Sequence, residues 1–248
     1  MPSNPPSGSA PFCTLCPFWG VCRNARGGTP PEAEGSLTPD RIFLRAGDVL
    51  CRQEQAVRAV YPIRAGGLKR VYESRLGWRQ VTGFFLPGDV PGLEANDANT
   101  HGASVIALQD SECCVIPVES LQARMADPGF RATILAALRR QAEHQAELLL
   151  AIGSMKAAQR LAMLLLDLAA EQTRRGVSDG VLTLAMTRND IASYLGLTLE
   201  TVSRLLSRFA SVGLITVRHR LLRIVDRPGL AEVHADPDRI SLRDPGGR

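Results

Sequence analysis

Three cysteines near the N-terminus have the spacing of ligands to a single metal centre. Cys13, Cys16 and Cys22 are separated by two and by five residues, so one short loop can wrap all three thiols around the same centre. Thiolate-only sets favour zinc or an iron–sulfur cluster, and the spacing alone leaves both open. A fourth ligand must come from a more distant part of the chain. The remaining thiols are Cys51, Cys113 and Cys114.

A second group of residues with a possible binding role lies in the segment Thr187–Val225. Thr187 and Asp190 form the Ser/Thr-x-x-Asp/Glu signature of a capped helix, and Gly196 suits the left-handed residue that ends it. A second amphipathic segment follows, with apolar residues at i, i+3, i+4 and i+7 from Val202. The opposite stripe can hydrogen-bond base edges or phosphates and consists of Glu200, Ser203, Arg204, Ser207 and Arg208. This pattern predicts a helix-turn-helix whose second helix enters the major groove.

The charge distribution favours DNA as the partner of this segment. From Thr187 to Val225, six arginines stand against two acidic residues, a net charge of +4 that equals the formal net charge of the whole chain. Such a local basic excess is the electrostatic footprint of a phosphate-binding surface. Two β-rich runs, Gly213–Arg218 and Leu221–Val225, predict a hairpin wing behind the second helix.

The rest of the chain supplies the elements that must position these residues. Its 248 residues, 45% hydrophobic and 22% charged, are typical of one large or two modest globular domains. No run of about 18 apolar residues occurs, so we predict no membrane span. The start lacks the basic and apolar regions of a secretion signal, so we expect a cytoplasmic protein with thiols that are ligands or buried. The Pro-, Ser- and Gly-rich residues 1–12 predict a disordered lead-in, and residues 23–39 a linker.

Residues 40–117 contain a repeated β pattern. Six short β-rich runs are separated by turns containing Gly and Pro, which predicts a small antiparallel barrel or roll. Cys114 comes at the end of the last run. Because side chains alternate along a strand, Cys113 and Cys114 are expected to face opposite sides. Cys51 stands among apolar strand residues, so we expect it in the core.

A stretch without proline from Phe130 to Ala158 predicts one long helix. Residues at alternating spacings of three and four form a coiled-coil seam, which predicts a homodimer. The seam consists of Leu135, Leu138, Ala142, Gln145, Leu149 and Ile152. Its centre is weak, because alanine is small and glutamine is polar, so small energies can shift the association. The alternative is a helix that packs on its own domain.

Together these elements predict an α+β chain. An N-terminal antiparallel, jelly-roll-like β-roll sensor domain is followed by a long dimerisation helix and a C-terminal winged helix-turn-helix. No P-loop, Gly-x-Gly-x-x-Gly run or convincing catalytic set occurs, so we predict that the chain is not an enzyme. The predicted parts are a flexible arm with the cysteine cluster (1–36), the roll (37–125), the dimerisation helix (126–155), the DNA-binding domain (156–228) and a polar tail (229–248).

This order of elements resembles the CRP/FNR superfamily, and specifically the FNR type of oxygen-responsive transcription regulator. The resemblance spans nearly all of residues 13–225. Its most specific parts are the Cys-x2-Cys-x5-Cys spacing, CVIPVESL from Cys114, and MTRNDIASYLGLTLETVSRLLSRF from Met186. It implies a 4Fe–4S cluster as cofactor. The implied iron ligands are Cys13, Cys16, Cys22 and Cys114.

The resemblance also implies how DNA is bound. The family's E-x-x-S-R motif matches Glu200, Ser203 and Arg204, which implies that these residues read bases in palindromic sites with TTGAT-like half-sites. We predict that the phosphates are held by Arg188, Thr198, Arg208 and Arg218. The implied partners are double-stranded DNA, a second copy of the chain and RNA polymerase.

Two departures from the family pattern bear on regulation. Residues 88–108 lack the Arg-Ser/Thr pair and neighbouring acid with which cyclic-nucleotide-binding relatives hold phosphate and ribose, so no cyclic nucleotide is expected. The acidic residue that helps keep the family's cluster-free form monomeric aligns nearest to Gln145, with Glu143 and Glu147 close by.

The leading hypothesis is an oxygen-responsive transcription regulator. A 4Fe–4S cluster would promote dimerisation and DNA binding under low oxygen, and oxygen would destroy the cluster. An alternative keeps the fold and the DNA binding but has zinc or a thiol/disulfide switch in place of the cluster. A third hypothesis, from a different class, is an electron-transfer or redox protein; the basic recognition face and the lack of a second cofactor motif disfavour it.

Overall fold

The computed structural model describes residues 13–19, 22, 39–94, 98–176 and 181–236. The predicted lead-in at 1–12, residues 23–38 of the predicted linker and the C-terminal residues from 237 lie outside the described residues. The chain divides into two compact units, Met1–Glu143 and His144–Arg248. None of the helices among the described residues is long and apolar enough to cross a bilayer.

The first unit is built on two four-stranded sheets in which every pairing is antiparallel. In one sheet β8 pairs with β1, β3 and β4, and the other has the order β2-β7-β5-β6. The strands are β1 Asp40–Leu44, β2 Val49–Cys51, β3 Ala59–Val60, β4 Ile63–Ala65, β5 Leu68–Glu73, β6 Arg79–Phe85, β7 Ser104–Ala107 and β8 Ser111–Pro117. The predicted antiparallel roll is therefore confirmed.

Alternating apolar residues of these strands fill the interior of the roll. Leu68 is fully buried, and it packs in one cluster with residues such as Phe85, Val105 and Cys113. Burial of such side chains is the main favourable term for a unit of this size. Strands β3 and β4 are separate, since Pro62 lies between them and cannot donate a ladder hydrogen bond.

Three helices follow the roll: α1 Val118–Arg124, α2 Pro128–Ser154 and α3 Ala157–Arg174. The predicted long helix is α2. Asp127 caps its start, because its Oδ1 accepts hydrogen bonds from the amides of Gly129 at 2.8 Å and Phe130 at 3.4 Å. In the first unit, α2 buries Phe130, Ile134 and Ala137.

The second unit contains the winged helix-turn-helix. Its elements after α3 are β9 Val181–Thr183, α4 Arg188–Leu195, α5 Leu199–Ser211, β10 Ile215–Arg218, β11 Leu221–Ile224 and α6 Arg227–Ala235. The wing is a three-stranded antiparallel sheet in the order β10-β11-β9. Behind α5, the side chains of Leu161, Leu165 and Phe209 are completely buried.

The prediction of a polar tail from residue 229 was wrong for residues up to 235. Helix α6 begins after Asp226, whose carboxylate accepts a hydrogen bond from the amide of Gly229 at 2.9 Å. Leu230 and Val233 lie three residues apart, both are buried, and α6 packs on α3. Two apolar positions are too few for a clear helical period in the sequence, but they suffice when a neighbouring helix covers them.

Candidate cluster site and DNA-binding surface

The cysteine arm is a series of tight turns anchored by one aromatic ring. A short 3-10 helix spans Cys13–Leu15, and the amide of Cys16 donates to the carbonyl of Cys13 at 3.0 Å. Pro17 has no N–H, and the amide of Phe18 donates to the sulfur of Cys16 instead. The Phe18 ring is fully buried in a cluster with Val60, Ile116, Phe130 and Ile134. Burial of this ring therefore holds the arm on the roll and on α2 of the same unit.

The structure brings together the thiols of Cys13, Cys16, Cys22 and Cys114. Burial raises the pKa of Cys16 to about 12, and the charges of the other three thiols raise it further, although the Phe18 amide opposes this. Burial likewise raises the pKa of Cys114 to about 11, with Cys22 and Cys13 adding to the rise. Such mutually repelling, desolvated thiolates are favoured only when a cation or metal centre compensates their charge.

Cys114 is fixed by the β8 backbone. Its amide donates to the carbonyl of Pro62 at 2.8 Å, and the register of β8 places it opposite Arg41 of β1. The other side of the arm meets the turn at Gly88, whose φ is +98°. A Cβ at this position would lie 3.1 Å from the Cβ of Leu15, so glycine provides both the turn and the room for the arm.

Cys51 and Cys113 lie elsewhere. Both side chains are buried in the apolar interior of the roll, in the cluster around Leu68. Burial raises the pKa of Cys51 to about 11 and that of Cys113 to about 12. Cys113 and Cys114 are on opposite faces of β8, as alternation along a strand requires. These two thiols are therefore part of the core.

A buried arginine next to Cys114 was not singled out from the sequence. Arg64 in β4 has a side chain only 4% exposed, and it donates a hydrogen bond to the sulfur of Cys114. Its Nε lies 3.0 Å from Oε1 of Glu112, an ion pair whose angles fall short of a hydrogen bond. Burial alone would lower the pKa of Arg64, but the charges of Cys13, Glu112 and Cys114 raise it. The sequence feature that could have revealed Arg64 is an arginine within an apolar β-rich run.

The donor atoms of the candidate site are all sulfur. All four converging side chains are thiols, which are soft ligands suited to iron–sulfur clusters and zinc. Within the described residues, no three His, Cys, Asp or Glu side chains are close enough together to hold one metal ion.

The helix-turn-helix has the predicted caps. The hydroxyl of Thr187 accepts from the amide of Asp190 at 3.1 Å, and the Asp190 carboxylate accepts from the amide of Thr187 at 2.9 Å. Gly196 ends α4 with φ 62° and ψ 43°, the left-handed conformation expected there. Arg160 of α3 braces the same end of α4, because its Nη1 donates to the carbonyl of Leu195 at 3.0 Å. These contacts fix the angle at which α5 leaves the turn.

The outer face of α5 carries the three predicted base-reading residues. Glu200 and Arg204 are exposed, whereas Ser203 is half-buried. Hydrogen bonds from its own backbone and from the Thr198 hydroxyl lower the pKa of Glu200, so its carboxylate is charged near neutral pH. Nη1 of Arg188 lies 3.4 Å from the hydroxyl of Ser203, which links α4 to this face.

The residues predicted to contact phosphates differ in solvent exposure. Arg188 and Arg218 are exposed, Arg218 at the end of β10. Arg208 is half-buried on the side of α5. Thr198 is the N-cap of α5, and its hydroxyl accepts from the amide of Thr201 at 3.1 Å.

The predicted seam residues are largely exposed in the single chain. Leu135 and Leu149 are 56% and 74% exposed, Ala142 and Gln145 are exposed, and only Leu138 and Ile152 are half-buried. The other side of α2 is buried through Ile134, Ala137, Leu148 and Ala151.

The β-roll and the capped helical pair followed by a wing define a winged helix-turn-helix transcription regulator with a sensor-like roll. Comparison with family models agrees. Residues 159–233 match a Crp-like helix-turn-helix domain, and residues 41–127 match a cyclic nucleotide-binding domain.

Comparison with whole proteins identifies the family. The chain is 36% identical over 233 residues to the transcriptional regulatory protein btr of Bordetella pertussis, covering 92% of this chain and 96% of that protein. It is 35% identical over 205 residues to the anaerobic regulatory protein of Haemophilus influenzae, covering 82% and 76%. The structure of FixK2 from Bradyrhizobium japonicum superposes with a TM-score of 0.73 and 29% identity, covering 79% and 97%. The chain belongs to the CRP/FNR family of DNA-binding transcription regulators, which are not enzymes.

Proposed function

We propose that this regulator responds to oxygen through a 4Fe–4S cluster held by Cys13, Cys16, Cys22 and Cys114. The observation that carries the proposal is the convergence of these four thiols beside the buried ring of Phe18. When bound, the cluster ties the four thiolates together and supplies a centre that oxygen destroys. The name of the Haemophilus influenzae relative, an anaerobic regulatory protein, supports activity under low oxygen.

In this proposal the state of the arm affects α2, which carries the predicted seam. Phe18 packs on Phe130 and Ile134 at the start of α2, and Leu138 of the seam is partly packed against the same cluster. When the arm is fixed, these contacts hold the start of α2, and the exposed seam residues would pair with a second copy. We therefore propose that cluster loss weakens the homodimer.

In this proposal the dimer binds DNA at a palindrome. Two recognition helices related by a two-fold axis fit half-sites about 34 Å apart, one turn of B-DNA. Glu200, Ser203 and Arg204 read TTGAT-like half-sites, and Arg188, Thr198, Arg208 and Arg218 hold phosphates. The exposed charges of Glu200 and Arg204 suit cytosine N4 and guanine O6 and N7, respectively. At its promoters the protein would act with RNA polymerase.

The roll is proposed to work without a cyclic nucleotide. Its sequence matches a cyclic nucleotide-binding domain, but residues 88–108 contain no arginine to hold a phosphate. Arg70, which contacts this segment, is already paired with Glu94 at 3.3 Å and donates to Thr82.

Absorption spectroscopy of anaerobically purified full-length protein, with iron, sulfide and zinc analysis, tests this function. The proposal predicts a broad band near the edge of the visible range that bleaches in air. A colourless protein with stoichiometric zinc would indicate that zinc takes the place of the cluster. A colourless, metal-free protein would favour a thiol/disulfide switch. A cluster that cycles electrons in air without bleaching would contradict the switch and favour electron transfer.

A further inference from the structure

We propose that Arg64 is a positioning residue of the cluster site, which donates to the Cys114 sulfur while Glu112 holds its guanidinium in place. This inference rests on the proposed function, because it concerns the ligand environment of the cluster. Neither Arg64 nor Glu112 belongs to the ligand set.

Burial is the first reason to assign Arg64 a role. A charged guanidinium with a side chain 4% exposed has lost nearly all its water, a cost that only good partners offset. Arg64 has two partners that can carry a negative charge. Glu112 is 3.0 Å from its Nε, and the Cys114 sulfur accepts its hydrogen bond.

Two arginines and one carboxylate meet beside Cys114, so the group carries one positive charge in excess. Glu112 also lies 3.4 Å from Nη1 of Arg41, so one carboxylate is shared between two arginines. A donor at a ligand sulfur stabilises the more negative state of a cluster, because hydrogen bonds to sulfur are one of the levers that set its potential.

Backbone pairing makes this arrangement rigid. The register aligns Ala65 of β4 with Glu112 of β8 and Ile63 with Cys113, so Arg64 and Cys114 are held on paired strands. The amide of Cys114 is also bonded to Pro62, two residues before Arg64. The distance between guanidinium and sulfur is thus set by the sheet and not by a flexible loop.

The test compares Arg64→Met with Arg64→Lys, and with Arg52→Met as the control at an exposed arginine of the same unit. Two readouts are taken on full-length protein: the cluster's reduction potential, measured anaerobically by dye-mediated titration, and the rate at which iodoacetamide alkylates Cys114 in cluster-free protein, measured by peptide mapping. We expect Arg64→Met to lower the potential and slow alkylation at Cys114 several-fold, Arg64→Lys to restore part of both, and Arg52→Met to match wild type.

The outcomes separate this inference from the proposed function. If wild type binds a cluster and Arg64→Met changes neither readout, Arg64 does not position the site. If Arg64→Met cannot hold a cluster, the alkylation rate decides, since a wild-type rate at Cys114 overturns the contact. If wild type itself binds no cluster, the proposed function fails, and slower alkylation in Arg64→Met still supports the contact between Arg64 and Cys114.

Discussion

The ring of Phe18 stacks on the ring of Phe130, with centroids 5.8 Å apart and planes 29° apart. Phe18 lies two residues after Cys16, and Phe130 is the third residue of α2. Both rings are buried, so the contact joins the cysteine arm to the helix that carries the predicted dimer seam. It gives a short physical route by which the state of the thiols can reach α2.

Replacing Phe18 with alanine should break this route. Loss of a fully buried aromatic ring costs about 3–5 kcal/mol, because a cavity remains. We expect a lower free energy of unfolding in urea and faster loss of the cluster in air. The matched control is Phe43→Ala in β1, where the ring is 61% exposed and removal should cost less than about 1 kcal/mol. Unchanged stability and cluster lifetime in Phe18→Ala would show that the ring does not anchor the arm.

Serine substitutions should separate ligands from core cysteines. Serine at position 13, 16, 22 or 114 should abolish cluster retention, because a hydroxyl does not replace the soft thiolate. Cys51→Ser and Cys113→Ser should retain the cluster while losing some stability, since both thiols are buried in the roll. Iron and sulfide content of anaerobically purified variants is the measurement. Retention in Cys114→Ser together with loss in Cys113→Ser would mean that the neighbouring thiol is the ligand.

Gln145→Leu should strengthen the dimer. The exposed glutamine is at the weak centre of the predicted seam, and an apolar side chain there would add roughly 1–2 kcal/mol of burial. We expect the cluster-free variant to dimerise, as seen by sedimentation velocity, whereas Ala146→Leu, an exposed neighbour outside the seam, stays like wild type. Wild-type cluster-free protein that is already fully dimeric at low micromolar concentration would rule out this switch.

Arg204→Ala should change base preference, whereas Arg218→Ala should not. Arg204 is exposed on the outer face of α5, and loss of a bidentate base contact costs on the order of 1–3 kcal/mol. Arg218 is exposed at the end of a wing strand, so its loss should weaken binding to all DNA sequences alike. It should also reduce the slope of log affinity against log salt concentration by about one unit. Binding-site selection followed by salt titration distinguishes them. Wild-type base preferences in Arg204→Ala would refute readout by this residue.

Features that depend on neighbouring residues could be predicted from the sequence, whereas pairings between distant residues could not. The capping box at Thr187 and Asp190 was predictable because its partners are three residues apart. The Arg64–Glu112 pair was not, since strand register brings together residues 48 positions apart. Helix α6 was missed for the same reason, because its two apolar residues are buried only by packing on the distant helix α3.

In the proposed function, one cluster controls both the oxygen response and DNA binding. The most direct measurement follows cluster absorbance and the anisotropy of a labelled TTGAT palindrome in the same anaerobic sample as oxygen is admitted. We predict that DNA affinity falls in step with the absorbance, and that Cys114→Ser shows low affinity throughout. Undiminished DNA binding after complete bleaching and loss of iron would contradict the account.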